Sequence, residues 1–286
     1  MKYVILANSN NNTFDIPRQL TEINGEPLVK RTIRLLKENG IKDIIITASD
    51  ERFDNLGAER YEPKNSTYDY NTGAGYWLDA FPFELLTEPV CFIWGDVYFS
   101  DKAIKTIVKS KTKSTLFFCT YNNQDEKYIK HHDEPLAYKV VDTELFKEHI
   151  IKVKKMYDDR ITYRNPIIWE VYRSINGIDV NEHKMTKNYI AINDESCDID
   201  SKRDIDLIKV SVGEREMITC KVIKDFTLGE FDKIKNIKRK TINEEGKLFT
   251  GDIFECDKKM AKYLLGDNDK KAIVIEILEV IPEEEK

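Results

Sequence analysis

Polar and acidic side chains lie just after apolar runs at two points of this sequence. The segment from Asn8 to Asn12, four asparagines and Ser9, comes after the apolar run Lys2–Ala7, and Asp96 comes after the run 89–94. Ligands of open α/β sheets bind outside the carboxyl ends of the strands. A carboxylate at a strand end suits a hard cation better than it suits packing, although Asp96 could instead cap the next turn. These residues therefore predict a ligand site at one sheet edge.

The asparagine segment contains no glycine. Asparagine is among the few residues other than glycine that tolerate left-handed backbone angles. A run of asparagines can therefore turn several backbone N–H groups toward one anion. The alternative is a flexible polar turn, and the segment alone does not decide between the two.

The elements around these residues alternate between strands and helices. Lys2–Ala7 predicts a strand buried on both faces, Pro27 opens an amphipathic helix that Gly40 ends, and Ile44–Thr47 predicts a second buried strand. A strand, a helix and a strand in this order form a βαβ unit and hence a parallel sheet. Further predicted elements are a helix over 73–83, a strand over 89–94, a helix over 102–109 and a strand over 115–120. The fold class is therefore α/β, with a doubly wound, mostly parallel sheet.

The later part of the chain predicts a second module. The segment 165–175 could be a helix or a strand, whereas 188–209 predicts a strand, an acidic turn and a helix capped by Ser201. Beyond Ser211 the pattern changes to short strands with one helix. We therefore place a domain boundary near Gly213, with a main domain over 1–212 and a small α+β module of unknown role over 213–286.

Composition restricts the classes of partner. The chain has 286 residues, 41% hydrophobic and 34% charged, and a net charge of −6, which argues against a nucleic-acid partner. No apolar run approaches the roughly 18 residues of a membrane span, and the N-terminus does not fit a signal peptide. Five scattered cysteines without a CxxC pair indicate neither a zinc site nor a disulfide framework, which fits a reducing cytoplasm. His131 with His132, and the basic run Lys233–Lys240, are interpreted as solvated surface.

Three motifs together resemble the nucleotidyltransferase (NTP transferase) family of GT-A-like folds. Pro17-Arg18-Gln19-Leu20 stands at the family's PKxL motif, and Gly25 with Pro27-Leu28 stands at its G-x-PL motif. Gly95-Asp96 matches the strand that ends in GD, and the segment 198–209 resembles the late D-x-D-T-P-E-D-L motif. The sequence departs from the family in its phosphate loop, which has lost its glycines and arginine, and in Arg18, which replaces the lysine.

The resemblance implies a role for each matching residue. Asp96 and Asp200 would bind Mg²⁺, and Asp96 would be catalytic together with Arg18. Asp204 is interpreted as a helix cap. The residues implied to contact the nucleotide are Ala7, Asn8, Ser9, Asn10, Asn11, Arg18, Thr72 and Gly73.

The implied activity is Mg²⁺-dependent transfer of a nucleotide from a nucleoside triphosphate to a sugar phosphate or another phosphorylated alcohol, with release of pyrophosphate. Its partners would be that triphosphate and the phosphorylated acceptor, and a homo-oligomer is compatible with the sequence. Two alternatives stay open at this point. One is a GT-A-type glycosyltransferase that consumes a nucleotide sugar, and the other is a catalytically degenerate nucleotide-binding protein.

Overall fold

A computed structural model describes most of the chain and places its strands in a seven-stranded central sheet. The described residues are 1–8, 14–63, 68–69, 72, 74–120, 134–182, 185–213, 217–227, 238–239, 247–266 and 274–278. The strands of the sheet are β1 (Lys2–Leu6), β2 (Ile44–Thr47), β3 (Glu59–Tyr61), β4 (Val90–Trp94), β5 (Leu116–Thr120), β6 (Pro135–Val140) and β7 (Tyr189–Ile192). Their order across the sheet is β7-β5-β6-β4-β1-β2-β3.

The sheet is mostly parallel, as the alternation of strands and helices predicted. Strands β4, β1, β2 and β3 run parallel to one another, and β7 runs parallel to β5. Only β6 is antiparallel to its neighbours β4 and β5. The predicted α/β class with a mostly parallel sheet is therefore confirmed.

Both faces of the sheet are covered by apolar side chains. In β1, Tyr3 and Ile5 belong to the core on one face, and Val4 and Leu6 belong to the core on the other. Side chains alternate between the faces of a strand, so an uninterrupted apolar run fits a strand that is buried on both sides. The helices of this part are α1 (Leu28–Glu38), α2 (Asp101–Lys109), α3 (Thr143–Asp158) and α4 (Ile168–Asn176).

The helix predicted over 73–83 is wrong. The structure has a short 3-10 helix over Trp77–Ala80, and Phe81 then adopts an extended conformation with φ −77° and ψ 133°. Gly75 has a left-handed φ of +84°, which interrupts a helix before Trp77. Pro82 disfavours helical angles in Phe81, which ends the turn. For the segment 165–175 the sequence left helix and strand as alternatives. In the structure, the helix α4 begins within this segment.

The described residues divide into two compact units. The first ends at Asp198 and the second begins at Ile199, so the helix α5 (Lys202–Val212) belongs to the second unit. The reason is packing, because Leu207 and Val210 of α5 lie in the hydrophobic core of the second unit. The domain boundary near Gly213 stays a prediction. Whether either unit folds independently remains a prediction.

The second unit is built on an antiparallel sheet. Its strands are Lys238–Arg239, Ile253–Asp257, Met217–Val222 and Ile275–Ile277, in that spatial order. The helix α6 (Lys258–Leu264) follows directly after the strand Ile253–Asp257. His131, His132 and most of the basic run 233–240 lie outside the described residues. No helix in the described part of the chain is long and apolar enough to cross a membrane.

A buried carboxyl on α5 makes the stability of the second unit depend on pH. Asp206 is 6% exposed, and burial raises its pKa to about 6 despite Lys202 and Lys209 nearby. The native state therefore binds more protons than the unfolded state between the unfolded pKa of about 3.9 and about 6. Stability must fall as the pH rises through that window, by roughly 2–3 kcal/mol.

We expect Asp206→Asn to remove this dependence and to make the second unit more stable than the native unit at pH 7. The measurement is hydrogen exchange by mass spectrometry on peptides of α5 and the strand Met217–Val222, at pH 4 and pH 7. Glu255→Gln, in the strand Ile253–Asp257, is the control and should keep the native pH dependence. Equal pH dependence in Asp206→Asn and the native protein would contradict the prediction.

Candidate active site

Polar residues at the carboxyl ends of three neighbouring parallel strands lie at one edge of the sheet. Asn8 follows β1, Thr47 ends β2 and Asp96 follows β4, and all three line a single cavity of about 190 Å³ in the first unit. The carboxyl ends of parallel strands meet at one edge, which is why these residues converge although they are distant in sequence. The structure thus contains a cavity where the sequence predicted a ligand site.

Arg18 and Asp96 form an ion pair in this cavity. Nη2 of Arg18 lies 2.6 Å from Oδ2 of Asp96, and their side chains are 17% and 9% exposed. Arg18 begins a 3-10 turn over Arg18–Leu20 that follows Pro17, and its neighbour Gln19 is buried against the cavity. The two residues predicted to be catalytic are therefore in direct contact, and the guanidinium is already engaged with a carboxylate.

A second carboxylate reaches the cavity from a short antiparallel ladder. Cys197–Asp198 pairs with Val97–Tyr98, so that Asp198 lies opposite Val97, the residue after Asp96. Asp198 lines the cavity together with Asp96. The structure therefore offers Asp198 as the second carboxylate of this site.

Asp200, the second metal ligand implied by the resemblance, occupies a different position. It is exposed and belongs to the second unit, and its backbone N–H donates to Oδ2 of Asp204 at 3.1 Å. Asp204 also accepts from the N–H of Ser201, which supports its interpretation as a helix cap. The resemblance implied Asp200 of this acidic motif, whereas the residue that lines the cavity is Asp198, two positions earlier.

The donor set of the cavity fits Mg²⁺. Magnesium is typically bound by one or two carboxylates together with phosphate oxygens and water. Asp96 and Asp198 provide two carboxylates, and the described residues contain no cluster of three or more His, Cys, Asp or Glu side chains that could enclose a metal by themselves. Asp96 and Asp198 are therefore the residues of this cavity that would hold the metal.

Of the other residues predicted to contact the nucleotide, some line the cavity, one does not, and some lie outside the described residues. Asn8 lines the cavity, and its Oδ1 accepts from the hydroxyl of Ser49 at 3.0 Å. Ala7 is buried beside it, with its N–H donating to the carbonyl of Thr47 at 3.0 Å. Thr72 is exposed and donates to Asp69 at 2.6 Å, and it is not among the described residues that line the cavity. Ser9, Asn10, Asn11 and Gly73 lie outside the described residues.

Aromatic and acidic residues that the sequence analysis did not select also line the cavity. The rings of Trp77 and Trp94 have centroids 5.6 Å apart and planes inclined by 50°, and Glu134 directly precedes β6. Trp94 was visible only as the last residue of an apolar strand. Trp77 was assigned to a helix that does not form, so no local signal placed it at the site.

Gly95 is required where β4 approaches β1. Its N–H donates to the carbonyl of Leu6 at 2.8 Å, and a Cβ at this position would lie 2.8 Å from the same oxygen. The Cβ would also lie 3.3 Å from Cγ of Gln19. The glycine of the GD motif therefore lets the strand end sit close enough to place Asp96 in the cavity.

We expect Gly95→Ala to destabilise the protein by about 1–3 kcal/mol, the usual range for overpacking, and to weaken ligand binding at the cavity. Urea unfolding measures the stability, and calorimetric titration with each nucleoside triphosphate in Mg²⁺ measures the binding. Gly40→Ala is the control, because Gly40 has φ +85° with nothing near its missing Cβ. It should reduce stability through backbone strain and leave the binding unchanged. Native binding by Gly95→Ala would contradict the proposed close approach.

The fold has solved counterparts. A protein from Bacillus anthracis assigned as a glucose-1-phosphate thymidylyltransferase, solved with sucrose, is 15% identical with a TM-score of 0.52, covering 75% of this chain and 96% of that one. An inositol-1-phosphate CTP transferase from T. maritima is 15% identical with a TM-score of 0.47, covering 74% of this chain and 96% of that one. A CTP:phosphocholine cytidylyltransferase from Streptococcus pneumoniae is 20% identical with a TM-score of 0.41, covering 71% and 95%.

Two comparisons by sequence found no match. No protein-family model matches the sequence, and no curated protein is significantly similar to it. The likeness to the Bacillus anthracis structure is therefore a likeness of fold. This chain has an α/β fold similar to that of the Bacillus anthracis protein assigned as a glucose-1-phosphate thymidylyltransferase.

Proposed function

We propose that this protein is a nucleotidyltransferase, which joins a nucleoside triphosphate to a phosphorylated alcohol and releases pyrophosphate. The observation that carries the proposal is the convergence of Arg18, Asp96 and Asp198 on one cavity at the carboxyl edge of the sheet. A cation, a guanidinium and carboxylates are the groups that phosphoryl chemistry uses, because the protein must position anions and neutralise charge.

In the proposed reaction, a phosphate oxygen of the acceptor attacks the α-phosphorus of the triphosphate in line. A new P–O bond forms as the bond between the α-phosphorus and its bridging oxygen to the β-phosphate breaks, and pyrophosphate leaves with that oxygen. Arg18 would hold the triphosphate and neutralise the charge that develops on the leaving group. Asn8 would contribute to the phosphate side of the cavity.

Asp96 and Asp198 would hold Mg²⁺ in this scheme. When bound, the metal would supply positive charge for the phosphate oxygens of both substrates. In this scheme Arg18 would have a different partner in the substrate-free and the substrate-bound protein. Asp96 neutralises Arg18 while no anion is present, and Arg18 would turn to phosphate oxygens when the carboxylate is neutralised in another way.

The test is an assay of pyrophosphate release with each of the four nucleoside triphosphates, Mg²⁺ and a panel of phosphorylated acceptors. Release that depends on both the triphosphate and the acceptor would support the proposal. Two outcomes would overturn it in favour of the alternatives. Consumption of a nucleotide sugar with release of a nucleoside diphosphate would indicate a glycosyltransferase. Nucleotide binding without turnover across the whole panel would indicate a non-catalytic binding protein.

A further inference from the structure

The ladder that carries Asp198 to the cavity is only two residues long on each side. Cys197 lies opposite Tyr98, and Asp198 lies opposite Val97. Two facing pairs share few backbone hydrogen bonds, so the ladder by itself fixes its register weakly. A slip of one residue would turn the Asp198 side chain to the opposite face, because successive side chains of a strand alternate between faces. Contacts outside the ladder must therefore help to hold this register.

Three side chains close a ring of hydrogen bonds at one end of the ladder. The N–H of Ser100 donates to Oγ of Ser196 at 2.8 Å, and Oγ of Ser100 donates to Oδ2 of Asp194 at 2.8 Å. Oδ1 of Asp194 accepts from the N–H of Ser196 at 2.9 Å. Ser100 lies two residues after Tyr98, and Ser196 directly precedes Cys197. The ring therefore ties the two strands together just beyond their last paired residues.

The ring is joined to the start of the helix α2. Ser100 and Ser196 are buried and Asp194 is half-buried. Ser100 is also the N-cap of α2, since its Oγ accepts from the N–H of Ala103 at 2.9 Å. The Asp194 carboxylate thus lies beside the positive end of the helix dipole, where negative charge is stabilised. Removing this carboxylate would leave two donors, the Ser100 hydroxyl and the Ser196 N–H, without their acceptor.

The strand Val97–Tyr98 is also fixed to the helix α1. Nε of Arg31 donates to the carbonyl of Phe99 at 3.2 Å, and the guanidinium carbon of Arg31 lies 4.9 Å from the ring centroid of Tyr98. Tyr98 and Phe99 are themselves buried. The ring therefore attaches the strand Cys197–Asp198 to a part of the fold that two helices hold in place.

We infer that Asp194 is a positioning residue, which acts through Ser100 and Ser196 to fix the register that places Asp198 in the cavity. The inference rests on the proposed function, in which Asp96 and Asp198 would hold Mg²⁺. Asp194 is not among the described residues that line the cavity, so its effect on the metal passes through Asp198. Residues that orient a metal ligand typically change metal affinity by about 10- to 100-fold when they are removed.

The test is calorimetric titration of Asp194→Ala with each nucleoside triphosphate, in Mg²⁺ and in EDTA. We expect the affinity in Mg²⁺ to fall by about tenfold, because a displaced Asp198 holds the metal less well. The affinity in EDTA should stay within about twofold of the native value, since Asp198 contributes there through no metal. An equal loss in both conditions would indicate a general effect on the fold and would overturn the inference, as would an unchanged affinity in Mg²⁺.

Hydrogen exchange by mass spectrometry tests the positioning without any ligand. Asp194→Ala should exchange faster than the native protein in peptides that cover 97–100 and 195–198, and at the native rate in β1. Native exchange in the ladder peptides would overturn the inference whatever the activity assay shows. Failure of the proposed function would differ from this result, since it would appear as absence of pyrophosphate release in the native protein.

Three further variants separate the ring from the rest of the fold. Asp194→Asn keeps one acceptor oxygen and should recover part of the affinity lost in Asp194→Ala. Ser196→Ala removes the acceptor of the Ser100 N–H and should also weaken binding in Mg²⁺ only. Since both residues act in one ring, the double variant Asp194→Ala/Ser196→Ala should lose little more than the weaker-binding single variant. Fully additive losses would overturn the inference.

Asp225→Ala is the matched control for Asp194→Ala. Oδ1 of Asp225 also joins segments distant in sequence, because it accepts from the N–H and from the hydroxyl of Thr250, both at 2.7 Å. Asp225 belongs to the second unit and does not line the cavity. Its loss should leave triphosphate affinity within about twofold of the native value in Mg²⁺ and in EDTA, as expected for a residue without a role in metal binding. A loss in Mg²⁺ equal to that of Asp194→Ala would overturn the inference.

Discussion

Replacing Asp96 with asparagine should lower Mg²⁺-dependent turnover by roughly a thousandfold, or about 4 kcal/mol in the barrier. Asparagine keeps the shape of the side chain but removes the charge that a hard cation requires. The assay is pyrophosphate release at saturating Mg²⁺, with circular dichroism to verify the fold. Activity within tenfold of the native protein would remove Asp96 from the site.

The matched control for Asp96→Asn is Asp101→Asn. Asp101 also pairs with an arginine, at 2.9 Å from Arg31, but its side chain is 77% exposed and does not line the cavity. An exposed ion pair contributes little. The control should therefore retain activity within about twofold, which would show that loss of an arginine partner alone does not explain the effect of Asp96→Asn.

A parallel comparison decides which acidic residue is the second ligand. The resemblance implies Asp200, whereas Asp198 is the residue that lines the cavity with Asp96. We expect Asp198→Asn to reproduce the loss seen for Asp96→Asn. Loss in Asp200→Asn, with native activity in Asp198→Asn, would favour Asp200 instead.

Replacing Arg18 with alanine should weaken triphosphate binding in Mg²⁺ by about 1.5–3 kcal/mol, which corresponds to roughly a 10- to 150-fold increase in Kd. This is the range for hydrogen bonds to a charged group. Arg18→Lys should recover only part of the loss, because lysine offers a point charge where the planar guanidinium can bind two oxygens. Calorimetric titration with each nucleoside triphosphate measures both effects.

Arg34→Ala serves as the control for Arg18→Ala. Arg34 is also an ion-paired arginine, 2.7 Å from Glu26, but its side chain is 41% exposed and lies outside the cavity. Its loss should leave triphosphate affinity within twofold of the native value. If Arg18→Ala also bound triphosphate within twofold of the native affinity, Arg18 would not contact the triphosphate.

From the Arg18–Asp96 ion pair we predict that Asp96→Asn has opposite effects on triphosphate affinity without and with Mg²⁺. In EDTA, the asparagine variant should bind triphosphate more tightly than the native protein. The substitution removes a carboxylate from the cavity and frees the guanidinium from its 2.6 Å partner. In Mg²⁺ the order should reverse, because the variant has lost a cation ligand. The same order of affinities under both conditions would contradict the assigned role of the pair.

The sequence by itself determined the fold class and one edge of the site. Apolar runs at β1, β2 and β4, each in a strand–helix alternation, predicted parallel strands whose polar successors Asn8 and Asp96 must meet. This inference works because burial on two faces leaves a continuous apolar run, and because parallel strands end at the same sheet edge. Arg18 was identified by resemblance of its motif, and the structure places it against Asp96.

Only the tertiary structure decided which side chains complete the cavity. Asp198 enters through an antiparallel ladder with Val97–Tyr98, and the choice between Asp198 and Asp200 depends on that register. Trp77 lies at the site in a segment that Gly75 and Pro82 keep from forming a longer helix and that is hydrogen-bonded to Asn165. The assignment of α5 to the second unit depends on packing against strands that follow it in the chain. Such features are set by contacts between residues distant in sequence, and local periodicity carries no record of those contacts.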